Sequence, residues 1–305
     1  MNISLVVPVY NEESVVEEFI RRTSAALSSF NDYELIFIDD GSTDSTYDLI
    51  LNAIGDNQKI KCIKFSRNFG HQHAVLAGLT KSQYETIAVL DADLQDPPEL
   101  LREMADKVVE GYEIVYGQRI SRKGETFFKK MSAQTFYRIL DFLTPIAIPK
   151  DTGDFRVIST RAAKMVVEMK EVDPFLRGLF AFTGLKSFAF PYVREERFAG
   201  STKYTLKKMV NLATDAIYGF SSVPLKIFMR VSQFLLIAAI IFAIYAISRS
   251  LERGSGGGWL SIFSAVFFFG ALNLSFLALI ARYLISTLNA VQNRPSYVVE
   301  KYLNF

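Results

Sequence analysis

VLDADLQDPPEL, residues 89–100, is the stretch on which the reading of this chain turns. An apolar run ending at Leu90 meets Asp91, Ala92 and Asp93, then Gln95, Asp96 and two prolines. Side chains alternate along an extended backbone, so Asp91, Asp93 and Gln95 are expected on one side. Neighbouring carboxylates repel unless a cation or a donor lies between them. A hard divalent ion takes oxygen ligands, and Mg2+ keeps waters and phosphate oxygens in its shell. The competing reading is a capped turn before a helix whose first turn carries Pro97 and Pro98. A lone DxD occurs in many unrelated chains, so its surroundings must decide.

Those surroundings alternate between two textures. Residues 3–8, 34–38, 60–65, 86–90 and 114–117 are short apolar runs of strand type. Residues 11–28, 43–54, 72–81 and 98–110 are helix-like stretches between them. In the first of these, Val15, Val16, Phe19 and Ile20 share one helix face, and Ser42 or Thr43 is a cap by residue type for the second. The alternation predicts an α/β fold: a mixed, mostly parallel sheet with helices on both faces, whose ligands bind beyond the carboxyl ends of the strands.

The polar motifs fall at those ends. VVPVYNEE places Pro8, Tyr10 and Glu12 after the first strand, and IFIDDGSTDST places Asp39 and Asp40 after the second. Acids there accept from a ribose hydroxyl or a base N–H. Each motif alone reads as a helix cap and a tight turn. Three acidic strand ends along one sheet edge gather negative charge that calls for a bound cation and hydrogen-bond donors. FSRNFGHQHAV holds both histidines. Without further soft ligands, His71 and His73 fit the start of a helix better than a metal pair.

The whole chain has 305 residues, 50% hydrophobic and 22% charged, with 26 Phe. That mixture predicts a soluble part joined to a membrane part. A net charge of +2 carries no polyanion-binding signal, so no nucleic-acid partner is expected. The single Cys62 excludes an intrachain disulfide framework. The N-terminus lacks a basic segment followed by a long apolar core, so a cleaved signal peptide is not expected. After Ser201 the sequence mixes basic, aromatic and apolar residues at helical spacing, which reads as amphipathic helices in a membrane interface, strongest over 205–228. Residues 231–248 and 259–281 are nearly all apolar, about 18–23 residues each, and at about 1.5 Å per residue each crosses a hydrocarbon core about 30 Å thick. Lys207, Lys208, Lys226 and Arg230 precede the first run, and Arg282, Arg294 and Lys301 lie at or after the second. The positive-inside rule then favours cytosolic ends and a small external loop. The predicted organisation is a catalytic domain over 1–200, interfacial helices over 201–229, two transmembrane helices over 230–289 and a cytosolic tail over 290–305.

VVPVYNEE, IDDGSTDST, FSRNFGHQHAVLAGL, VLDADLQDPPE, VYGQR and DTGDFR, in this order and at these spacings, resemble the family-2 glycosyltransferases with a GT-A fold. Within them the chain is most similar to the polyprenyl-phosphate glycosyltransferases, which include dolichyl-phosphate mannose synthases and bactoprenol glucosyltransferases of the GtrB type. The resemblance covers nearly the whole chain, and two C-terminal spans are typical of the bactoprenol branch.

The resemblance implies roles for particular residues. Pro8, Tyr10, Glu12, Asp39 and Asp40 match the nucleotide pocket, and Asp91 the acid near ribose and phosphate. Asp93 and Gln95 match ligands of Mg2+ or Mn2+. Arg119, in YGQR, matches a basic residue that meets phosphate. Asp154, in TGDFR, matches the acid near the acceptor, as base or as orienting group. Arg197, Ser201 and Lys203 match the segment that closes over the acceptor phosphate, and Lys129 or Lys130, with Ser132, stand loosely where the family has further phosphate-holding residues. The implied reaction is metal-dependent and inverting: a hexose, glucose from UDP-glucose, passes to undecaprenyl phosphate on the cytosolic face of a bacterial inner membrane. The partners are then a nucleotide sugar, a polyprenyl phosphate and membrane lipid, and association into a homo-oligomer through the spans is compatible with them. Mannosyl or aminosugar transfer stays open. So does a catalytically silent membrane protein that binds a nucleotide sugar or a lipid carrier. A processive polysaccharide synthase would carry a QxxRW motif, whereas the one Trp here, Trp259, lies inside an apolar run.

Overall fold

The computed structural model describes residues 1–55, 57–120, 149, 152–172, 174–195, 223–253, 259–292 and 294–305. Lys129, Ser132, Arg197, Ser201 and Lys203 lie outside them, as does most of the predicted interfacial segment. The chain divides into two compact units, one holding the sheet together with Pro295–Phe305, the other within Ile217–Arg294 and three further residues.

Strands β1 (Asn2–Val9), β2 (Asp32–Asp39), β3 (Ile60–Phe65) and β4 (Thr86–Val89) run parallel, in the order β4-β1-β2-β3. They alternate with helices α1 (Val16–Leu27), α2 (Thr46–Ile54) and α3 (His71–Lys81). Each strand is buried on both faces, which is why the runs are apolar almost throughout. Ile3, Leu5, Val7, Leu35, Phe37 and Cys62 point to one side, where they meet Val16 and Phe19 of α1, Ile50 of α2 and Met104 of α4 (Leu101–Val109). Phe19 meets Phe37 edge-on, ring centroids 6.1 Å apart. Val6 and Ile38 point the other way, toward α3. A Cβ placed on Gly78 of α3 would lie 2.3 Å from Val6 Cγ1 and 2.8 Å from Ile38 Cδ1, so the helix approaches this closely only because residue 78 has no side chain. Helix α5 (Thr160–Glu168) packs beside α3.

The rest of the sheet departs from simple alternation. β5 (Ile114–Arg119) does not pair with β4. Between them lies β6 (Thr152–Ser159), antiparallel to both, and β7 (Ser187–Tyr192) follows α6 (Leu176–Phe182) and pairs parallel with β5 at the edge. At the other edge, β8 (Val299–Leu303) pairs antiparallel with β3. The mixed, mostly parallel sheet with helices on both faces is the GT-A-like arrangement expected. The insertion of β6 and the recruitment of the expected tail as a strand are additions. Tyr297 stacks on Phe65 with centroids 4.9 Å apart, and Asn304 Nδ2 donates to the Ile60 carbonyl oxygen at 3.0 Å, so aromatic packing and side-chain bonding support the ladder of β8.

Several predicted boundaries shift for local reasons. Helix α1 begins at Val16, not near residue 11, because Asn11 takes a left-handed conformation (φ 53°) and turns the chain. Ser42 and Thr43 do not cap α2, which starts at Thr46; both are bonded to Asn11 instead. Strand β4 ends at Val89, and Leu94 has φ 56°, so residues 91–95 form a turn. The expectation that Asp91, Asp93 and Gln95 line one side of an extended strand is therefore corrected. Pro98 does open the following 3-10 turn, Pro98–Leu100, but Pro97 stands at its N-cap and no side chain caps it, so only the proline part of the capped-turn reading holds.

The second unit contains two long helices, α7 (Val223–Arg253) and α8 (Trp259–Gln292), which touch where Phe228 meets Phe276 edge-on, centroids 4.6 Å apart. Phe234, Ile237 and Ile241 of α7 and Val266, Leu274 and Leu284 of α8 are exposed. Apolar surface of that extent on a helix marks a lipid or partner contact. Among the described residues one helix is long and apolar enough to cross a membrane, over Phe268–Asn289 of α8. It ends eight residues beyond the predicted run.

Gly78→Ala is expected to destabilise the sheet unit by about 1–3 kcal/mol, as overpacking of a filled core does. A thermal melt of the full chain in detergent checks this, and an unchanged Tm would refute the close approach of α3.

Candidate active site at the strand ends

The loops that follow β1 and β2 are bound to each other. Asn11 N–H donates to Ser42 Oγ at 3.0 Å, Asn11 Oδ1 accepts from Thr43 N–H at 2.8 Å, and Glu12 N–H donates to Thr46 Oγ1 at 2.7 Å. Tyr10 and Glu12, just past Pro8 and Val9, are thereby set beside the loop that starts at Asp39. Asp39 Oδ1 accepts from Ser42 N–H at 3.0 Å; its Oδ2 is buried with no hydrogen-bond partner, and burial raises its pKa. Asp40 accepts from the N–H groups of Phe69 and Gly70 at 2.7 and 2.9 Å, which fixes the loop opening α3. The predicted nucleotide residues thus gather on adjoining loops, and within them Asp40 acts as the loop's anchor.

That anchored loop delivers His71. Its Nε2 lies 3.1 Å from Asp154 Oδ2 and 3.6 Å from Asp91 Oδ1, so one imidazole joins the DADLQ turn to β6. Asp154 and Arg156 sit two residues apart on β6, and Arg156 Nη2 reaches Asp154 Oδ1 at 3.3 Å. Arg177, from α6, clamps the same carboxylate through Nε at 3.1 Å and Nη2 at 3.3 Å. Burial alone would push Asp154 up, but Arg177, His71 and Arg156 together hold it well below the ordinary carboxylate range. Burial likewise pulls His71 down, and the charges of Asp91 and Asp154 outweigh it, raising the imidazole to about 9. Asp91 moves upward, chiefly through burial, with His71 opposing the shift.

Arg119 stands at the end of β5, where its Nη2 would be 2.5 Å from a Cβ on Gly153. The glycine of DTGDFR is therefore what admits this guanidinium beside β6. Arg119 Nε donates to the Tyr192 hydroxyl at 3.4 Å, and that hydroxyl donates to Asp96 Oδ1. Asp96 is fully buried, and its Oδ2 has no partner.

Among the described residues no three His, Cys, Asp or Glu side chains converge as a ready-made metal group. A divalent ion on Asp93 and Gln95 would draw its remaining ligands from phosphate and water, which is usual for Mg2+. The donor set fits such an ion. Gln95 N–H donates to Asp93 Oδ1 at 3.1 Å, closing the turn, and a guanidinium, that of Arg194, already stands 3.7 Å from Asp93 Oδ2.

Pro8, Tyr10, Glu12, Asp39, Asp40, Asp91, Asp93, Gln95, Arg119 and Asp154 all belong to the sheet unit, and among them Asp91 and Asp154 meet through His71. Sequence reasoning missed His71, Arg177 and Arg194. His71 was visible only as half of an HxH pair, and the pair does open a helix: His73 is bonded to the carbonyl oxygens of Phe69 and Val172. Nothing local marks Arg177, a helix residue whose partner, Asp154, lies on β6.

Because the imidazole pKa is raised from 6.5 to about 9, its stabilising contribution is complete below about pH 6.5 and is lost as pH rises through 9. The Tm of the full chain is expected to fall over that window, and His71→Gln to flatten the fall. Parallel curves for the two proteins would remove the imidazolium from the site.

Comparison with known proteins agrees with the motifs. Residues 4–166 match the family described as Glycosyl transferase family 2. An uncharacterized glycosyltransferase of Bacillus subtilis, YkcC, is 42% identical over 98% of this chain and 93% of its own. A prophage bactoprenol glucosyl transferase homolog of Escherichia coli K12 is 32% identical over 99% of both. The solved mannosyltransferase PcManGT of Pyrobaculum calidifontis, in complex with GDP-Man and Mn2+, is 16% identical over 95% of this chain and 86% of that one, with a TM-score of 0.48. The family's span and the full-length relatives lead to one conclusion: the chain belongs to glycosyl transferase family 2 and is a glycosyltransferase.

Proposed function

We propose that the chain transfers glucose from UDP-glucose to a polyprenyl phosphate such as undecaprenyl phosphate, with inversion, at the cytosolic face of a bacterial inner membrane. The observation that carries this reading is the state of Asp154. Three cations hold the carboxylate ionised, so it is poorly suited to accept a proton. An alcohol acceptor needs a base; a phosphate monoester, with a second pKa near about 6, is already an anion and needs cations and orientation. A site rich in fixed cations around an anchored carboxylate matches the second acceptor. The full-length likeness to bactoprenol glucosyl transferases points the same way.

In this scheme an oxygen of the acceptor phosphate attacks the anomeric carbon as its bond to UDP breaks. A single in-line displacement turns an α-linked donor into a β-linked lipid product. Tyr10, Glu12 and Asp39 hold the nucleotide, with Asp91 toward ribose and phosphate. Asp93 and Gln95 would hold a divalent ion, which would supply Lewis-acid stabilisation to a departing diphosphate. Arg119 grips phosphate oxygens, since a guanidinium bonds two at once. Arg197, Ser201 and Lys203, with Lys129 and Ser132, are assigned to the acceptor phosphate by resemblance.

The membrane assignment rests on α7, α8 and the chain's return. Residues on both sides of the helical pair belong to the same folded unit, because β8 pairs with β3. A chain that leaves a domain and rejoins it crosses a bilayer an even number of times. If α8 spans over Phe268–Asn289, a second crossing is required, and α7 is the segment available. Lys226, Arg230 and Arg294 at the flanks favour the cytosolic side for that domain.

Full chain in detergent, with Mn2+ or Mg2+, radiolabelled UDP-glucose and a polyprenyl phosphate, is expected to yield a lipid-linked hexosyl phosphate identified by mass. No lipid product across a panel of nucleotide sugars would sink the proposal. Asp93→Ala is expected to abolish transfer while the protein still inserts. Arg119→Ala is expected to lower kcat by on the order of 100-fold, the scale of losing one charge-stabilising donor. Wild-type rates in either variant would take that residue out of its role.

A further inference from the structure

Arg194 lies two residues beyond β7, with its guanidinium between two carboxylates of the DADLQD turn. One nitrogen, Nη2, is 3.7 Å from Asp93 Oδ2, and Nε is 3.3 Å from Asp96 Oδ1. Neither is a well-formed bond. Arg194 Nε is buried without an aligned hydrogen-bond acceptor, while Asp96 Oδ1 already accepts from Tyr192. Charge rather than directional bonding holds this side chain against Asp93. The backbone that carries it is firmly placed: Glu195 N–H donates to the Gln95 carbonyl oxygen at 2.9 Å, Gln95 Nε2 donates to the Glu195 carbonyl oxygen at 3.4 Å, and the Glu195 carboxylate pairs with Arg22 at 3.1 Å. The guanidinium can therefore swing while its main chain stays on the turn.

We propose that Arg194 is a resting counterion of Asp93 and makes divalent-ion binding depend on the donor's diphosphate. The inference rests on the metal-dependent reading above. A dication on Asp93 and a guanidinium at the same oxygen repel each other, so an ion arriving alone must displace Arg194 from the carboxylates it neutralises. An ion arriving with a diphosphate brings anionic oxygens, which guanidinium groups bind in pairs. Arg194 then exchanges Asp93 for phosphate and stays compensated. Ion and nucleotide binding become positively coupled, and the coupling is reciprocal.

The test is a Mn2+ titration of the full chain in detergent, with free Mn2+ read by electron paramagnetic resonance, in the absence and presence of UDP. Wild type is expected to bind Mn2+ weakly alone and more tightly with UDP. Arg194→Gln and Arg194→Ala are expected to tighten UDP-free Mn2+ binding by about fivefold or more, the lower end of common binding couplings, and to shrink the enhancement by UDP. Arg194→Lys keeps the charge and is expected to keep binding weak without UDP. UDP-free affinity unchanged or weakened in both neutral variants would overturn this proposal and leave the glycosyltransferase reading standing. Absence of Mn2+ binding to wild type even with UDP would overturn the metal-dependent reading and this proposal with it.

Discussion

Unlike charges held at close range organise this molecule. Asp93, Asp96 and Asp154 lie close enough to Asp91 that their charges add to burial in making that carboxyl harder to ionise. The cations that answer them arrive from separate elements: His71 from α3, Arg156 from β6, Arg177 from α6, Arg194 from the end of β7. Removing one member of such a set leaves a buried charge without compensation, which commonly costs about 3–5 kcal/mol. The sheet's topology has to satisfy this balance as well as bury its apolar faces. Inserting β6 antiparallel between β4 and β5 places Asp154 beside the turn that carries Asp91.

The parallel half of the fold was legible because its signals are local. Apolar runs in β1 to β4, the acids that follow β1, β2 and β4 and the helices between the strands can be read within short windows, and the structure holds each of these elements, with shifted helix starts and a turn in place of an extended DADLQ. The other half depends on pairing over long separations. DTGDFR gave no sign that it is a strand running against its neighbours, and residues 299–303 read as a tail because a lone edge strand has little hydrophobic pattern of its own. Boundaries failed where polar side chains bond across loops. Asn11 bonds both Ser42 and Thr43, residues whose type suggests helix caps.

The candidate site divides along the same line. Carboxylates were found because acidic residues following a strand are conspicuous in a sequence. Their partners were not, because an arginine on a mixed helix such as α6 looks like any solvated cation until the fold turns it inward. His71 shows the limit most clearly. Its neighbours in sequence suggested a helix start, which is correct, yet its chemistry is set by Asp154, 83 positions away. The acids fall within the residues that match glycosyl transferase family 2, and the structure adds the cations that stand beside them.

β8 gives the chain an order of events during synthesis. The strand is made after both long helices, so β3 has an uncovered edge throughout the interval in which those helices emerge. An uncovered strand edge invites pairing with whatever extended segment is near. Completion of the sheet therefore waits on synthesis of both helices, and a nascent chain stalled in that interval presents an open β3 to chaperones and to its own copies.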